Sequence, residues 1–445
     1  MAFSDSLFDR RAHQALLTLA VPMILANITT PLLGLVDTAV LGHMDSPAML
    51  AGASVATLIL TQIYWVCGFL RMSTTGLSAQ ARGDKTHPLN ARARVLLQAM
   101  AIALFLGLTI IALQWPIYQI GYILADPSAQ VSLALSDYFF IRVWGAPAAM
   151  ANLVLVGWLV GQQKTRAVLV VQIIGNSLNA LLDVLFVYGF GWSVQGVAAA
   201  SITAEYTMAI LAAWVAYTHC KGATPGKEWF NAAARKILLK LNGDMLLRNL
   251  ALQACLAFLT ITGARLGETQ TAVNAVLMQF FVLIALGLDG VAYAVEALVG
   301  EAKGAMNEAL IKLQTYRGLI WSSLFAIVYA VIFAVFGTGI IALLTDLPHL
   351  QQAASAYLPL MVLLPLAGHW CFLFDGVFVG LTQSRAMRNT MIVSAVCVYF
   401  PVWYAFRHIG NEALWYALLT FLLARGVTLG WVFMKLSRRG DLAAA

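Results

Sequence analysis

The sequence predicts an all-α integral membrane protein, with twelve transmembrane helices in two pseudo-symmetric six-helix lobes. Of its 445 residues, 61% are hydrophobic and only 11% are charged, and the mean hydropathy is +0.81. A chain this apolar cannot be wrapped around a water-soluble core. Its apolar runs are continuous, whereas the strands of an outer-membrane barrel alternate over about ten residues, so helices are expected.

Each predicted helix is an apolar run long enough to cross roughly 30 Å of hydrocarbon, which takes about 20 helical residues. In the first half the runs cover 16–41, 48–72, 94–117, 131–160, 167–190 and 195–218. In the second half they cover 245–267, 272–299, 315–337, 352–381, 388–407 and 413–434. We therefore divide the chain into an amino-terminal lobe, 1–218, a cytoplasmic linker, 219–244, and a carboxy-terminal lobe, 245–445.

The basic residues predict the orientation. The formal net charge is +7, and 22 of the 27 Lys and Arg residues lie near the termini or in the connections that follow even-numbered helices. The positive-inside bias makes that side cytoplasmic. We expect a multi-pass protein of the cell inner (cytoplasmic) membrane with both termini in the cytoplasm. We interpret the excess of basic residues as a determinant of membrane topology and of attraction to lipid headgroups, and not as a sign of nucleic-acid binding.

An internal repeat relates the two halves. The segment 157–166 (GWLVGQQKTR) matches 376–385 (GVFVGLTQSR) at an offset of 219 residues. Six helices per half, both halves starting on the same side, are typical of parallel repeats with a substrate path between them. The paired glycines of these segments are spaced by four residues, and we interpret them as helix-packing positions.

No motif indicates an enzyme, a cofactor or a metal site. The sequence has no HExxH, GxSxG or GxxxxGK[ST] motif, and its seven histidines lack metal-ligand spacing. Its five cysteines fall in or beside apolar runs without a CxxC pair, which is typical of packing residues. A pump driven by ATP within this chain is therefore excluded.

Polar side chains inside the apolar runs are the candidate functional residues, because charge is costly to bury in a membrane. Asn176, Asn179 and Asp183 are three and four residues apart and form one stripe on the fifth helix. Asp37 lies in the first helix, and Pro22 precedes it as a possible hinge. The alternatives are structural hydrogen bonds for the stripe, an interfacial position for Asp37 and a static kink at the proline.

Further candidates lie on three other helices. Thr203 and Glu205 on the sixth helix are predicted to complete the chamber of the stripe, and a lone glutamate there needs a partner or a proton. Asp289 and Glu296 share one face of the eighth helix, and Asp375 lies on the tenth. We expect these three acids to have one of two roles: they bind cations or protons, or they fasten helices through ion pairs with arginines.

Four segments together resemble the multidrug and toxic compound extrusion (MATE) family, in its DinF subfamily. They are Pro22 with 36–43 (VDTAVLGH), the stripe on the fifth helix, 289–296 (DGVAYAVE) and 374–376 (FDG). The likeness covers essentially all twelve helices. It implies the MATE/MOP fold, a monomer, and export of lipophilic, often cationic small molecules in exchange for protons or, less commonly, sodium.

The resemblance also implies roles for individual residues. Asp37, Asn179 and Asp183 match the ion site of the amino-terminal lobe, Pro22 matches the proline at which the first helix bends, and position 201 or 203 matches a hydroxyl of the sixth helix. One departure concerns the NorM-type branch, which uses a glutamate on helix seven with an aspartate on helix ten. Here 249–267 has no carboxylate, so the prediction favours the amino-terminal lobe.

The hypothesis that follows is antiport. Asp37 and Asp183 share one proton and titrate as a pair, and protonation from outside lets the first helix bend and expel the substrate. The closest alternative is a lipid-linked oligosaccharide flippase of the same superfamily, whose cavity should carry cationic side chains for pyrophosphate. A major-facilitator carrier is disfavoured because 81–94 lacks that family's glycine-aspartate-glycine-arginine spacing. A channel does not need two matched lobes.

Overall fold

The computed structural model describes residues 2–444, and none of these is in a β-strand. Within that range twelve helices are long and apolar enough to cross a membrane, and each overlaps one predicted run. The predicted number of spans is therefore confirmed. The helices are α1 Phe3–Gly42, α2 Pro47–Gly83, α3 Pro88–Ala112, α4 Ala129–Gly161, α5 Thr165–Gly189, α6 Val194–Cys220, α7 Ala232–Arg265, α8 Glu268–Gly304, α9 Glu308–Leu344, α10 Leu358–Gly380, α11 Ser384–Ile409 and α12 Asn411–Arg439.

Most helices extend beyond the apolar run that predicted them. α7 has 34 residues and α8 and α9 have 37 each, which at 1.5 Å per residue is about 51 and 56 Å, well above the roughly 30 Å of hydrocarbon. The extra turns carry polar and basic side chains such as Arg235 and Lys236 in α7. Those residues form helix readily but do not count toward an apolar run, so the predicted ends fell several residues short.

A π-helical turn occurs in α5 and another in its repeat counterpart α11, at different positions along the two helices. One spans Leu185–Gly189 in α5 and the other spans Ala395–Tyr399 in α11. Such turns insert one extra residue and are frequent at functional sites. In α5 the π-turn begins two residues after Asp183.

The internal repeat is confirmed in the backbone. After α4, the amides of Gln163 and Lys164 turn back to the carbonyls of Val160 and Leu159 at 2.9 and 2.8 Å. After α10, the amides of Thr382 and Gln383 donate in the same way to the carbonyls of Val379 and Phe378, both at 3.0 Å. All four residues lie 219 positions after their counterparts. Gln163 and Thr382 both adopt positive φ, 60° and 52°. This is the hydrogen-bond pattern of a Schellman cap.

The repeated glycines pack helices against each other, as predicted. A Cβ on Gly157 or Gly161 of α4 would lie 2.6 or 2.7 Å from a carbonyl oxygen of α2. A Cβ on Gly376 or Gly380 of α10 would lie 2.7 or 2.8 Å from a carbonyl oxygen of α8. In both halves the backbones approach too closely for any side chain, because the atoms in the way cannot move without shifting a helix.

The chain divides into two compact units. One comprises Leu25–Lys236 and holds α2 to α6 with the second part of α1, from Leu25 on; the other comprises Ile237 onward together with the residues up to Ile24. The predicted lobe boundaries at 218 and 245 stay a prediction. They assigned all of α1 to the first half, whereas the compact units divide α1 after Ile24. The start of α1 packs on the second half, where the Nε1 of Trp321 donates to the Nδ1 of His13 at 2.8 Å.

We expect Gly161→Ala to lower the stability of the folded protein by about 1–3 kcal/mol, since overpacking a tight contact costs that much. The added methyl would meet the Thr75 carbonyl at 2.7 Å and the Ala79 amide nitrogen at 2.8 Å. The measurement is the thermal unfolding midpoint of the detergent-purified protein. Gly339→Ala in α9 is the control, because nothing lies within 4 Å of its added Cβ. Equal midpoints for both variants would contradict the packing role.

Candidate ion and substrate site

The polar stripe of α5 faces the interior of the unit Leu25–Lys236. Asn179 and Asp183 are 5% and 0% exposed. The Nδ2 of Asn176 donates to the Oγ1 of Thr29 on α1 at 2.9 Å. The stripe therefore meets the first helix, which is the arrangement favoured by the cost of placing polar groups against hydrocarbon.

The carboxyl groups of Asp37 on α1 and Asp183 on α5 face each other. Their side chains are close enough for a hydrogen bond, which can form when one of them carries a proton. Apart from that mutual contact, no donor among residues 2–444 reaches the buried Oδ1 of Asp37, either carboxyl oxygen of Asp183 or the Oδ1 of Asn179. Four buried oxygen atoms on two helices are thus without a protein donor.

A carboxyl pair of this kind can hold one proton or coordinate one small cation. Two carboxylates in contact do not both stay ionised without a neutralising charge, so they titrate as a pair. Oxygen atoms of carboxylates and amides are also ligands for hard cations. The arrangement is therefore suited to reversible binding of a proton or an ion.

Glu205 on α6 has a partner rather than a free carboxylate. The guanidinium of Arg142 on α4 donates to Glu205 through both terminal nitrogens, Nη1 to Oε2 at 2.8 Å and Nη2 to Oε1 at 2.5 Å. Gly145 leaves the space for this pair, since a Cβ there would lie 2.6 Å from Glu205 Oε2 and 2.9 Å from Arg142 Nη1. This is the partner that a lone glutamate in mid-helix was predicted to need.

Of the two positions of α6 considered for a site hydroxyl, Ser201 is buried and Thr203 is exposed. Ser201 is 5% exposed, and its hydroxyl is in hydrogen-bonding contact with the buried Tyr138 of α4. Thr203 is exposed, and its Oγ1 donates to the carbonyl of Ala199 at 2.8 Å. Residues two positions apart in a helix, such as 201 and 203, are separated by about 200° around the helix axis, so only one of them can face the interior of the unit.

Tyr138 was missed by the sequence analysis. Its ring is 3% exposed, and its hydroxyl lies within electrostatic range of both Asp37 and Arg142. A signal was present, because Tyr138 and Arg142 are four residues apart and share one face of α4. A tyrosine is uncharged and does not stand out in an apolar run of the sequence, so its position beside polar groups became visible only in the folded chain.

Asp375 of α10 is fastened by two arginines. Arg248 Nη2 of α7 donates to Asp375 Oδ2 at 2.6 Å, and Arg425 Nη2 of α12 donates to the same oxygen. Both arginine side chains are buried, at 7% and 6% exposure, and that of Asp375 is 18% exposed. Of the two roles predicted for this acid, helix fastening is the one that its contacts support.

The other acids of the second unit lie on α8. Glu296 is 3% exposed, and Asp289 is half-buried. Asp289 lies within electrostatic range of Tyr329 and of Cys371, which is itself within range of Asp375. The three predicted acids of this half are therefore on neighbouring helices, and α8 and α10 are held together by the glycine contacts described above.

Comparison with known proteins identifies the family. The MatE family model matches residues 22–185 and 245–405. The DNA damage-inducible protein F of Escherichia coli is 42% identical over 99% of this chain and 98% of its own length. The multidrug resistance protein NorM of Aliivibrio fischeri is 25% identical over 87% of this chain and 84% of its own length.

Solved structures share the fold at low sequence identity. A MATE protein crystallised in a straight conformation superposes with a TM-score of 0.85 at 19% identity, covering 98% of each chain. A MATE protein in a bent conformation gives 0.84 at 19% identity, covering 100% of this chain and 99% of the other. This chain is therefore a member of the MATE family of multidrug and toxic compound efflux transporters.

Proposed function

We propose that this protein is a secondary active antiporter that exports lipophilic, often cationic compounds and takes up protons at Asp37 and Asp183. The observation that carries the proposal is the carboxyl pair, three of whose four oxygens are buried without a hydrogen-bond donor from residues 2–444. A proton neutralises such a pair without any further ligand. Sodium is the less favoured coupling ion.

The position of Asp37 supports a link between proton binding and movement of α1. Asp37 is on α1 and Asp183 on α5, and the Asn176 to Thr29 hydrogen bond joins the same two helices. Loss of the shared proton places two like charges in contact, which repel strongly in a low dielectric. Protonation and deprotonation therefore favour different arrangements of α1, as a two-state switch requires.

Pro22 supports bending at a defined point of α1. The helical segment Arg10–Gly42 continues through it, but a proline nitrogen has no hydrogen to donate to the carbonyl of Thr18 one turn earlier. Two residues after Pro22, at Ile24, the helix passes from one compact unit to the other. A weakened turn next to that change is suited to a hinge.

The substrate class rests on the relatives. One is named for multidrug resistance, and the acidic charge of the carboxyl pair suits a cationic compound.

The flippase alternative is less well supported, because a pyrophosphate needs several cationic side chains, and Arg142 is already bound to Glu205. The proposed setting is the inner membrane, with both termini cytoplasmic and the protein acting as a monomer.

Asp37→Asn and Asp183→Asn are each expected to reduce gradient-driven export to the rate of protein-free liposomes, because neither variant can form the carboxyl pair. The measurement is movement of a fluorescent lipophilic cation toward the acidic side of proteoliposomes. Asp137→Asn on α4 is the control, since that side chain is exposed. Full pH-driven transport by Asp37→Asn would sink the proposal, and transport driven only by sodium would reassign the ion.

Pro22→Ala is expected to slow transport severalfold while leaving proton binding at Asp37 intact. The alanine restores the hydrogen bond to Thr18 and so stiffens the proposed hinge. Transport rate and proton release on addition of substrate are measured in the same preparation. Pro31→Ala is the control, because Pro31 lies within a single compact unit. Equal slowing by both substitutions would argue against a hinge at Pro22.

Asp375→Asn is expected to destabilise the protein while the ion that drives transport stays the same. It removes the charge that neutralises two buried arginines, and breaking a buried pair costs about 3–5 kcal/mol, less here because Asp375 is partly exposed. Thermal unfolding and transport under separate pH and sodium gradients are measured. A stable variant that has lost proton coupling would instead assign Asp375 to the ion pathway.

A further inference from the structure

A second polar contact joins α1 to α5, about two helical turns from the carboxyl pair. The Nδ2 of Asn176 donates to the Oγ1 of Thr29 at 2.9 Å, and both side chains are half-buried. Thr29 is eight residues before Asp37, and Asn176 is seven residues before Asp183. At 1.5 Å per residue these spacings are about 12 and 10.5 Å along the two helices. The hydrogen bond and the carboxyl pair therefore belong to one α1–α5 interface, which lies within a single compact unit.

The hydroxyl group of Thr29 has a fixed orientation. It donates its single hydrogen to the carbonyl of Ala26, three residues earlier in α1, at 2.7 Å. It can therefore only accept a hydrogen bond from Asn176, and only the NH₂ group of that side chain can supply one. The Thr29 oxygen is thus tied to the backbone of its own helix, so the bond to Asn176 fixes the position of α1 itself.

The two contacts of this interface respond differently to pH. Loss of a shared proton places two like charges in contact at the carboxyl pair, and these repel. A threonine hydroxyl and an asparagine amide do not ionise, so the bond between Thr29 and Asn176 keeps its strength at any physiological pH. Ionisable side chains of α4, Tyr138 and Arg142, lie within electrostatic range of Asp37, and neither takes part in this bond.

We propose that Thr29 and Asn176 form an uncharged clamp that holds α1 on α5 in the register at which Asp37 and Asp183 meet. The inference rests on the proposed function, since it takes the carboxyl pair as the proton site. A single contact would let α1 rotate and slide on α5, and a slip of one residue turns a helix by about 100° and shifts it by about 1.5 Å. Two contacts exclude that slip. Thr29 is therefore a positioning residue for proton binding.

The clamp is expected to raise the apparent proton affinity of the site. A proton is shared only while the two carboxyl groups are in contact, so the apparent affinity scales with the fraction of molecules in which α1 and α5 are joined. One hydrogen bond changes such an equilibrium about two- to tenfold. Without the clamp that fraction falls, and a higher proton concentration is needed to half-saturate transport. Both carboxyl groups remain, so transport at saturating proton concentration is retained.

The test is Thr29→Val, which keeps nearly the same side-chain shape and removes the acceptor. Export of a fluorescent lipophilic cation is measured in proteoliposomes at a fixed pH difference over a range of absolute pH. We expect half-maximal export to need about two- to tenfold more protons than in the wild type, with the maximal rate retained. An unchanged half-saturating concentration would overturn the proposal, and so would loss of export at every pH in a folded variant.

Thr29→Ser and a matched threonine distinguish positioning from a general defect. Thr29→Ser keeps the hydroxyl and is expected to restore the wild-type half-saturating proton concentration. The control is Thr109→Val on α3, which removes a hydroxyl that donates to the Phe105 carbonyl of its own helix at 2.7 Å. A shift in either variant as large as that of Thr29→Val would overturn the proposal.

The double variant Thr29→Val with Asn176→Leu tests whether the two side chains act through one bond. Both substitutions break the same contact, so the double variant is expected to match Thr29→Val without a further shift. It also leaves no amide donor unpaired, which preserves the measurement if the single variant folds poorly. A shift equal to the product of the two single shifts would overturn the clamp by giving Asn176 a separate role.

Asp37→Asn separates the clamp from the proposed function. If Asp37→Asn loses proton-driven export while Thr29→Val keeps the wild-type half-saturating concentration, the antiporter is retained and the clamp is rejected. Proton-driven export that persists in Asp37→Asn would reject the antiporter mechanism, and the clamp with it, because the carboxyl pair would not be the proton site.

Discussion

A charge inside a membrane protein has to be neutralised by the helices that surround it, and this constraint organises the polar interior of the chain. Arg142 and Glu205 neutralise each other through two short hydrogen bonds. Asp375 is held by Arg248 and Arg425. Asp37 and Asp183 face each other instead, so their charge state depends on what they bind. The same physical rule thus separates charges that fasten helices from charges suited to respond to the ionic surroundings.

The two halves share a scaffold but not its chemistry. The caps after α4 and α10 and the glycine contacts of those helices recur at an offset of 219 residues. These features depend only on backbone geometry, so they tolerate wide sequence change elsewhere. Side chains on the same scaffold have diverged: the first half keeps a carboxyl pair without donors from residues 2–444, while the second half has enclosed its aspartate between arginines. The repeated backbone therefore carries two unlike polar sites.

Much of this organisation could be predicted from the sequence. Continuous apolar runs identified all twelve spans, and the four-residue glycine spacing identified the packing faces. The helix ends were missed, because hydropathy stops where polar side chains begin although the helix continues. Position 201 or 203 was left open for the hydroxyl of α6, and only the folded chain shows that Ser201 is the one in contact with Tyr138, while Thr203 as a site residue stays a prediction.

Local periodicity and composition are enough to specify the fold class, the number of helices and the stripe of Asn176, Asn179 and Asp183. The pairing of charges is set at a later level, by the packing of the helices. Arg142 and Glu205 are 63 residues apart, and Asp37 and Asp183 are further apart still. Partner choice depends on how helices rotate and pack, and no local pattern contains that information. Only the folded chain therefore distinguishes the acid that is fastened from the acids that remain available.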